Sequence, residues 1–100
     1  MHYKVINVIN VNTFEVMPPW RWNDQSGIRV KPAGYYPPEE KQFGFEKAKD
    51  KLKFLLYGRE VELKNFIDID YDCLVCDVIL NGRNLIDIFP EYKEKSPFNN

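Results

Sequence analysis

Val8-Ile9-Asn10-Val11-Asn12-Thr13-Phe14-Glu15-Val16 decides how this chain folds. β-branched and aromatic residues on both sides of Asn10 favour extended backbone, and Asn10 itself suits a turn. The stretch therefore reads as the hinge between two short strands, Tyr3–Ile9 and Asn12–Met17. Downstream, Pro18-Pro19-Trp20-Arg21-Trp22-Asn23-Asp24-Gln25-Ser26-Gly27 reads as a loop from its proline and turn content. Ile28–Ala33 predicts a third strand, ending in Gly34-Tyr35-Tyr36-Pro37-Pro38, where the prolines bar regular structure.

A helix is predicted from about Glu39 to Tyr57. Phe45, Ala48, Leu52, Leu55 and Leu56 recur at helical spacing, while Lys47, Lys49, Asp50, Lys51 and Lys53 fill the other face. Gly44 weakens its first turns, and Gly58 is a natural stop. Glu60–Phe66 and Cys73–Leu80 read as further strands, the second closed by the hairpin signal Asn81-Gly82. Asn84–Phe89 reads as a short final turn. The expected organisation is one domain over residues 1–90 and a charged, frayed tail over 91–100. Three strands, a helix and two strands give a mainly β (α+β) chain. Its expected form is a five-stranded Greek-key barrel of the oligonucleotide/oligosaccharide-binding (OB) type, with one main helix across a mouth.

Composition limits the function classes. The chain has 100 residues, 44% of them apolar and 15% aromatic, which suits one globular core and not disorder. Fourteen basic side chains against fifteen acidic ones leave a net charge of -1, so the basic excess of a dedicated nucleic-acid binder is missing. Apolar runs fall far short of the ~20 residues of a membrane helix. Met1-His2-Tyr3-Lys4-Val5 lacks the succession of a signal peptide, which makes the cytoplasm the default expectation. Cys73 and Cys76 lie in a strand-like run where positions three apart face opposite sides, and no second ligand pair accompanies them. They read as buried, inert thiols.

Five pieces of sequence, in order, resemble the staphylococcal-nuclease-like (thermonuclease) family. Val8–Val16 resembles its "V-x-D-G-D-T-hydrophobic-x-V" hairpin, and Val30-Lys31-Pro32-Ala33-Gly34-Tyr35-Tyr36-Pro37-Pro38-Glu39 its "V-R-L-x-G-I-D-x-P-E" strand and loop. Gly44-Phe45-Glu46-Lys47-Ala48 with Leu52 and Leu55–Leu63 resembles the "G-x-x-A…L…LL-x-G-x-x-V-x-L" segment. Asp70–Leu74 stands where the family has "D-x-Y-G-R", and Asn81–Leu85 resembles its "D-G-x-x-V" hairpin. The resemblance implies a calcium-dependent phosphodiesterase site, but the two calcium aspartates read here as Asn12 and Tyr36. The general-base glutamate aligns with Glu39, one phosphate-binding arginine with Lys31 and the other with Cys73. An asparagine can ligate calcium only without charge, and lysine lacks the two-pronged donor of arginine. Losing one transition-state donor costs about 10²–10³ in rate. The implied expectation is a pseudoenzyme, with calcium needed only if Glu39 and Lys31 keep some activity.

Three further constellations bear on binding. Asp68, Asp70 and Asp72 form the densest carboxylate run, a solvated acidic turn or a weak candidate for a hard cation. Trp20, Arg21 and Trp22, with Arg29, Lys31 and Tyr35, make the best candidate face for single-stranded nucleic acid or a protein, through ring stacking and charge, the alternative being that the tryptophans pack over an end of the barrel. Arg29 and Lys31 point the same way on a strand. The leading expectation is a non-catalytic binding module without a cofactor. Its rivals are a weak or altered metal-dependent nuclease and a structural domain that associates with itself.

Overall fold

The computed structural model describes residues 1–93. Six strands, β1 (His2–Val8), β2 (Phe14–Trp22), β3 (Gln25–Pro32), β4 (Glu60–Asp70), β5 (Cys73–Leu80) and β6 (Arg83–Asn84), accompany two helices, α1 (Phe45–Leu56) and α2 (Leu85–Ile88). The sheet runs β3-β2-β1-β4-β5-β6, and β3 also pairs in parallel with β5. That last pairing closes β1 to β5 into a mixed OB-like barrel, as expected from the order of elements.

Alternation builds the interior. Val5, Phe14, Val16, Val30, Leu74, Cys76 and Val78 point inward, and Ala48, Leu52 and Leu56 bring one face of α1 onto them. The lysine-rich face of α1 stays outside, as its spacing predicted. Leu85 is also fully buried, held by α2, whose first turn is capped by the Asn84 Oδ1 accepting from the Ile86 N–H. The Asn81-Gly82 turn has positive φ at both residues, the geometry of a tight hairpin.

Several segment boundaries differ from the sequence reading. Residues 18–27 are not a loop: β2 continues through Pro18 and Pro19 to Trp22, and β3 starts at Gln25. The pairing of β2 with β3 skips between Glu15 and Trp20, so neither proline owes β3 an N–H there. Asn23 and Asp24, both with positive φ, make the turn instead. Helix α1 starts at Phe45, not Glu39, because Lys41 and Gly44 adopt left-handed backbone (φ 74° and 90°) that a helix cannot absorb. The chain beyond residue 90 is not all tail: Pro90–Tyr92 form a 3-10 turn, Tyr92 packs edge-on against Tyr35, and Lys93 bridges to Tyr35. The rest of the expected tail, 94–100, lies outside the described residues.

Gly27 is required by packing, since a Cβ there would lie 2.8 Å from the Trp20 ring. Gly27→Ala is expected to lower unfolding stability by about 1–3 kcal/mol, the usual range for overpacking. A denaturant midpoint equal to wild type would mean that Trp20 is not fixed against β3.

Candidate functional site

The β3–β5 pairing sets the site. Val30 and Leu74 face the core, so their neighbours Arg29, Lys31 and Cys73 face outward, with Arg29 beside Cys73 in the parallel register. On the other side of β5, Asp70 pairs with Cys73. Lys31 reaches over this row, and its Nζ lies 2.9 Å from the Asp70 carboxylate. That hydrogen bond raises the Lys31 pKa against the opposing effect of burial, and the charges of Asp70, Cys73 and Glu39 add to it. Lys31, Cys73 and Glu39 thus share one neighbourhood.

Glu39 sits in the turn before α1. Its N–H donates to the Gln42 side chain (2.8 Å), and its carbonyl accepts from the Gln42 N–H (2.9 Å). Because α1 begins six residues later, Glu39 does not serve as an acid in the helix's first turn. Glu39 and Glu40 line a pocket of about 250 Å³ with Asn10, Asn12 and Phe45. Asn10 Oδ1 accepts from the Asn12 N–H, and Asn12 Oδ1 accepts from the Thr13 hydroxyl, so both carbonyls are already engaged within their own turn.

Tyr36 lies elsewhere. It is exposed, and it lines a separate groove of about 520 Å³ with Pro37, Pro38, Gln42, Phe43, Glu91 and Tyr92. The two positions at which the resemblance implies calcium ligands therefore do not come together: Asn12 lines the Glu39 pocket and Tyr36 the other groove. Among the described residues, no group of three or more histidine, cysteine or acidic side chains is placed to hold a metal. Asp68, Asp70 and Asp72 also part company. Asp68 accepts from its neighbour's N–H, Asp70 holds Lys31, and Asp72 follows the left-handed Tyr71 at the β4–β5 turn.

Most members of the expected nucleic-acid or protein face are buried or paired. Trp20 is 1% exposed and donates through Nε1 to the Arg29 carbonyl (2.8 Å), so it cannot stack on a base. Tyr35 is 3% exposed and packs against Phe89 and Tyr92; burial drives its pKa upward, and its hydroxyl has no partner among the described residues. Trp22 is half-buried against Phe66, edge to face with centroids 6.2 Å apart. Arg29 is tied to Glu15 at 3.3 Å. Only Arg21 of the set stands exposed and outside the ion pairs of the described residues. Sequence reading missed Asp70 as the partner of Lys31, because it ended this strand at Phe66, whereas β4 runs on to Asp70 through a register shift between Lys64 and Asp68.

No protein-family model matches this chain, and no curated protein matches it either. The geometry of the barrel mouth therefore carries the functional argument alone.

Burial pushes the Cys76 thiol up to about 12, with Asp77 adding to it. Cys73 is also raised, by burial first, with Lys31 and Arg29 opposing and Asp70 and Asp72 adding. At pH 8 the folded protein is expected to react slowly with a thiol reagent at Cys73 and not at Cys76, while denaturant exposes both. Removing the Asp70 charge lowers the Cys73 pKa and frees Lys31 beside it, so Asp70→Asn should speed the Cys73 reaction. A rate unchanged or slower in that variant would contradict the arrangement of Lys31, Cys73 and Asp70.

Proposed function

We propose that this chain is a non-catalytic binding module on a staphylococcal-nuclease-like framework, and that its ligand is a protein. The observation that carries the reading is the Lys31–Asp70 ion pair. The one cation retained at a phosphate-binding position of the family is held by the protein's own carboxylate. Arg29, the neighbouring cation, is likewise held by Glu15. A polyanionic ligand would have to displace both partners, and the net charge of -1 supplies no long-range attraction to offset that.

The chemistry of the mouth supports the same reading. Glu39 is a carboxylate near Asn12, but metal-assisted phosphodiester hydrolysis needs charge neutralisation on the phosphate as well as a base. Here Cys73 offers no donor of that kind, and Lys31 is a point charge already paired. With the two positions of the metal cage replaced, the base alone has nothing to activate.

The test uses calcium and single-stranded DNA and RNA. Wild type is expected to release no cleavage product above a blank, and to bind oligonucleotides without appreciable salt dependence. Asp70→Asn and Glu15→Gln free one cation each, so the double variant should acquire salt-dependent binding. Its slope of log K against log salt should steepen by about 0.7 for each cation freed. Chelator-sensitive cleavage by wild type that disappears in Glu39→Ala would overturn the reading and make the protein a nuclease.

A further inference from the structure

We propose that the edge of β3 over Gln25–Ile28 takes an extended, basic segment of a partner protein as an added strand. The assignment deepens the protein-binding reading above and rests on it.

Register leaves this edge open. β2 pairs with β3 through Trp20 and Gly27, Arg21 and Ser26, and Trp22 and Gln25, but β5 joins β3 only from Arg29 onward. The chain enters β5 from the Tyr71-Asp72 turn, and Cys73, its first residue, already stands beside Arg29. The β2–β3 hairpin thus projects past its neighbour, and the lane beside Gln25–Ile28 holds no strand among the described residues. Asn23 and Asp24 both have positive φ, as in the two-residue turn whose flanking residues, here Trp22 and Gln25, exchange both backbone hydrogen bonds. Ser26 comes next, so it directs its N–H and C=O away from β2 and into the open lane.

The edge lacks the usual deterrents to pairing. Native edges are commonly protected by a charge or a proline, and Gln25-Ser26-Gly27-Ile28 carries neither. Barrel closure removes the long edges of the sheet and leaves this short one. The lane is also a groove of about 320 Å³, which brings Gln25–Arg29 together with Ile69, Tyr71 and Asp72 of the β4–β5 hairpin. Trp20, Ile28 and Ile69 supply its apolar part.

Charge selects among strands. Arg29 and Glu15, both in the groove, hold each other at 3.3 Å, and the nearby Lys31 and Asp70 do the same at 2.9 Å. Asp72 is in no ion pair among the described residues. Arg21 and Asp24, around the hairpin tip, cancel in sign, so Asp72 leaves the balance negative. A segment with an apolar residue over Ile28 and Ile69 and a lysine or arginine beside Asp72 matches this groove. A second copy fits less well. Two-fold pairing about Ser26 would set the copy's hairpin turn beside Arg29, in the lane that Cys73 fills. Single-stranded nucleic acid fits less well too, because it has no strand of amides to pair and its phosphates would meet Asp72.

The probe is a labelled synthetic peptide of alternating valine and lysine, blocked at both ends. One control carries glutamate for every lysine, and another is methylated on every backbone nitrogen, which removes the donors a strand needs. Fluorescence anisotropy is expected to show the lysine peptide binding about tenfold or more tighter than either control, and weakening as salt rises. Saturating peptide should slow hydrogen exchange of the Ser26 amide by about tenfold or more, as that N–H passes from water into a ladder. Asp72→Asn should weaken binding about twofold to fivefold, the range of an exposed ion pair. Phe54→Ala, exposed on α1, should leave it intact. Ser26→Pro removes the edge N–H and should abolish binding; where it also lowers the unfolding temperature, the Ser26 exchange rate in the wild type decides. The inference is overturned if either control binds as well as its parent, if no peptide binds, or if binding leaves Ser26 exchange unchanged. It is also overturned if sedimentation shows a dimer that Ser26→Pro dissolves, or if an oligonucleotide slows Ser26 exchange instead. Failure of the peptide with oligonucleotides neither cut nor bound removes this inference alone; oligonucleotide cleavage removes the reading beneath it.

Discussion

The parallel pairing of Arg29–Pro32 with Cys73–Cys76 is the constraint from which the rest of the molecule takes its form. It joins two strands that are distant in sequence, so the chain must cross from β3 through α1 and β4 before β5 can lie down. Closing β3 on β5 gives both strands a neighbour on each side and leaves no long free edge to recruit another chain. The same four-residue ladder fixes which side chains face inward, Val30 with Leu74 and Cys76, and which face out, Arg29, Lys31 and Cys73. Packing and surface chemistry are thus two consequences of one register, and a slip by one residue would exchange them.

That coupling explains the electrostatics of the barrel mouth. Once Lys31 is directed outward from β3, the carboxylate it meets is Asp70 at the end of β4, on the far side of β5. Arg29 meets Glu15 directly across the β2–β3 pair. Each pair is partly exposed, and such contacts contribute at most about 1 kcal/mol to stability. Their larger consequence is for ligands: they cancel the local field that would draw a phosphate. Charge balance over the whole chain is accordingly not an even scatter of charges. The cations near the mouth are paired, while Lys4, Lys53 and Arg59 beside the end of α1 have no ion-pair partner among the described residues.

The architecture was legible in the sequence wherever periodicity decided it. Ala48, Leu52 and Leu56 fixed the buried face of α1, and the alternation in Cys73–Leu80 fixed β5. Reading failed where a local breaker signal met a long-range constraint. Pro18 and Pro19 read as loop residues, yet they lie in β2 where its pairing with β3 skips, and there an absent N–H costs nothing. Glu39 read as the start of a helix, but the left-handed backbone at Lys41 and Gly44 postpones α1 to Phe45. Trp20 read either as a stacking ring or as a ring packed on the barrel, and the structure buries it. Its partner was Gly27, seven residues on, whose missing side chain leaves room for the indole against β3. Composition could not reveal that complementarity, because it depends on the register of the hairpin.

Of the candidate site, sequence supplied the residues to consider but not their partners. Asn12 lies near Glu39 and Lys31 near Cys73, while Tyr36 turns to a different groove with Pro37, Phe43 and Tyr92. What sequence could not supply was the internal partner of each group. Asn12 Oδ1 accepts from Thr13, Lys31 is held by Asp70, and Glu39 is fastened through its backbone to Gln42. A catalytic centre keeps its reactive groups free for a ligand or aims preorganised donors at the charge that develops. Here Asn12, Lys31 and Arg29 are instead turned on the protein's own atoms, so their polar groups are engaged within the fold.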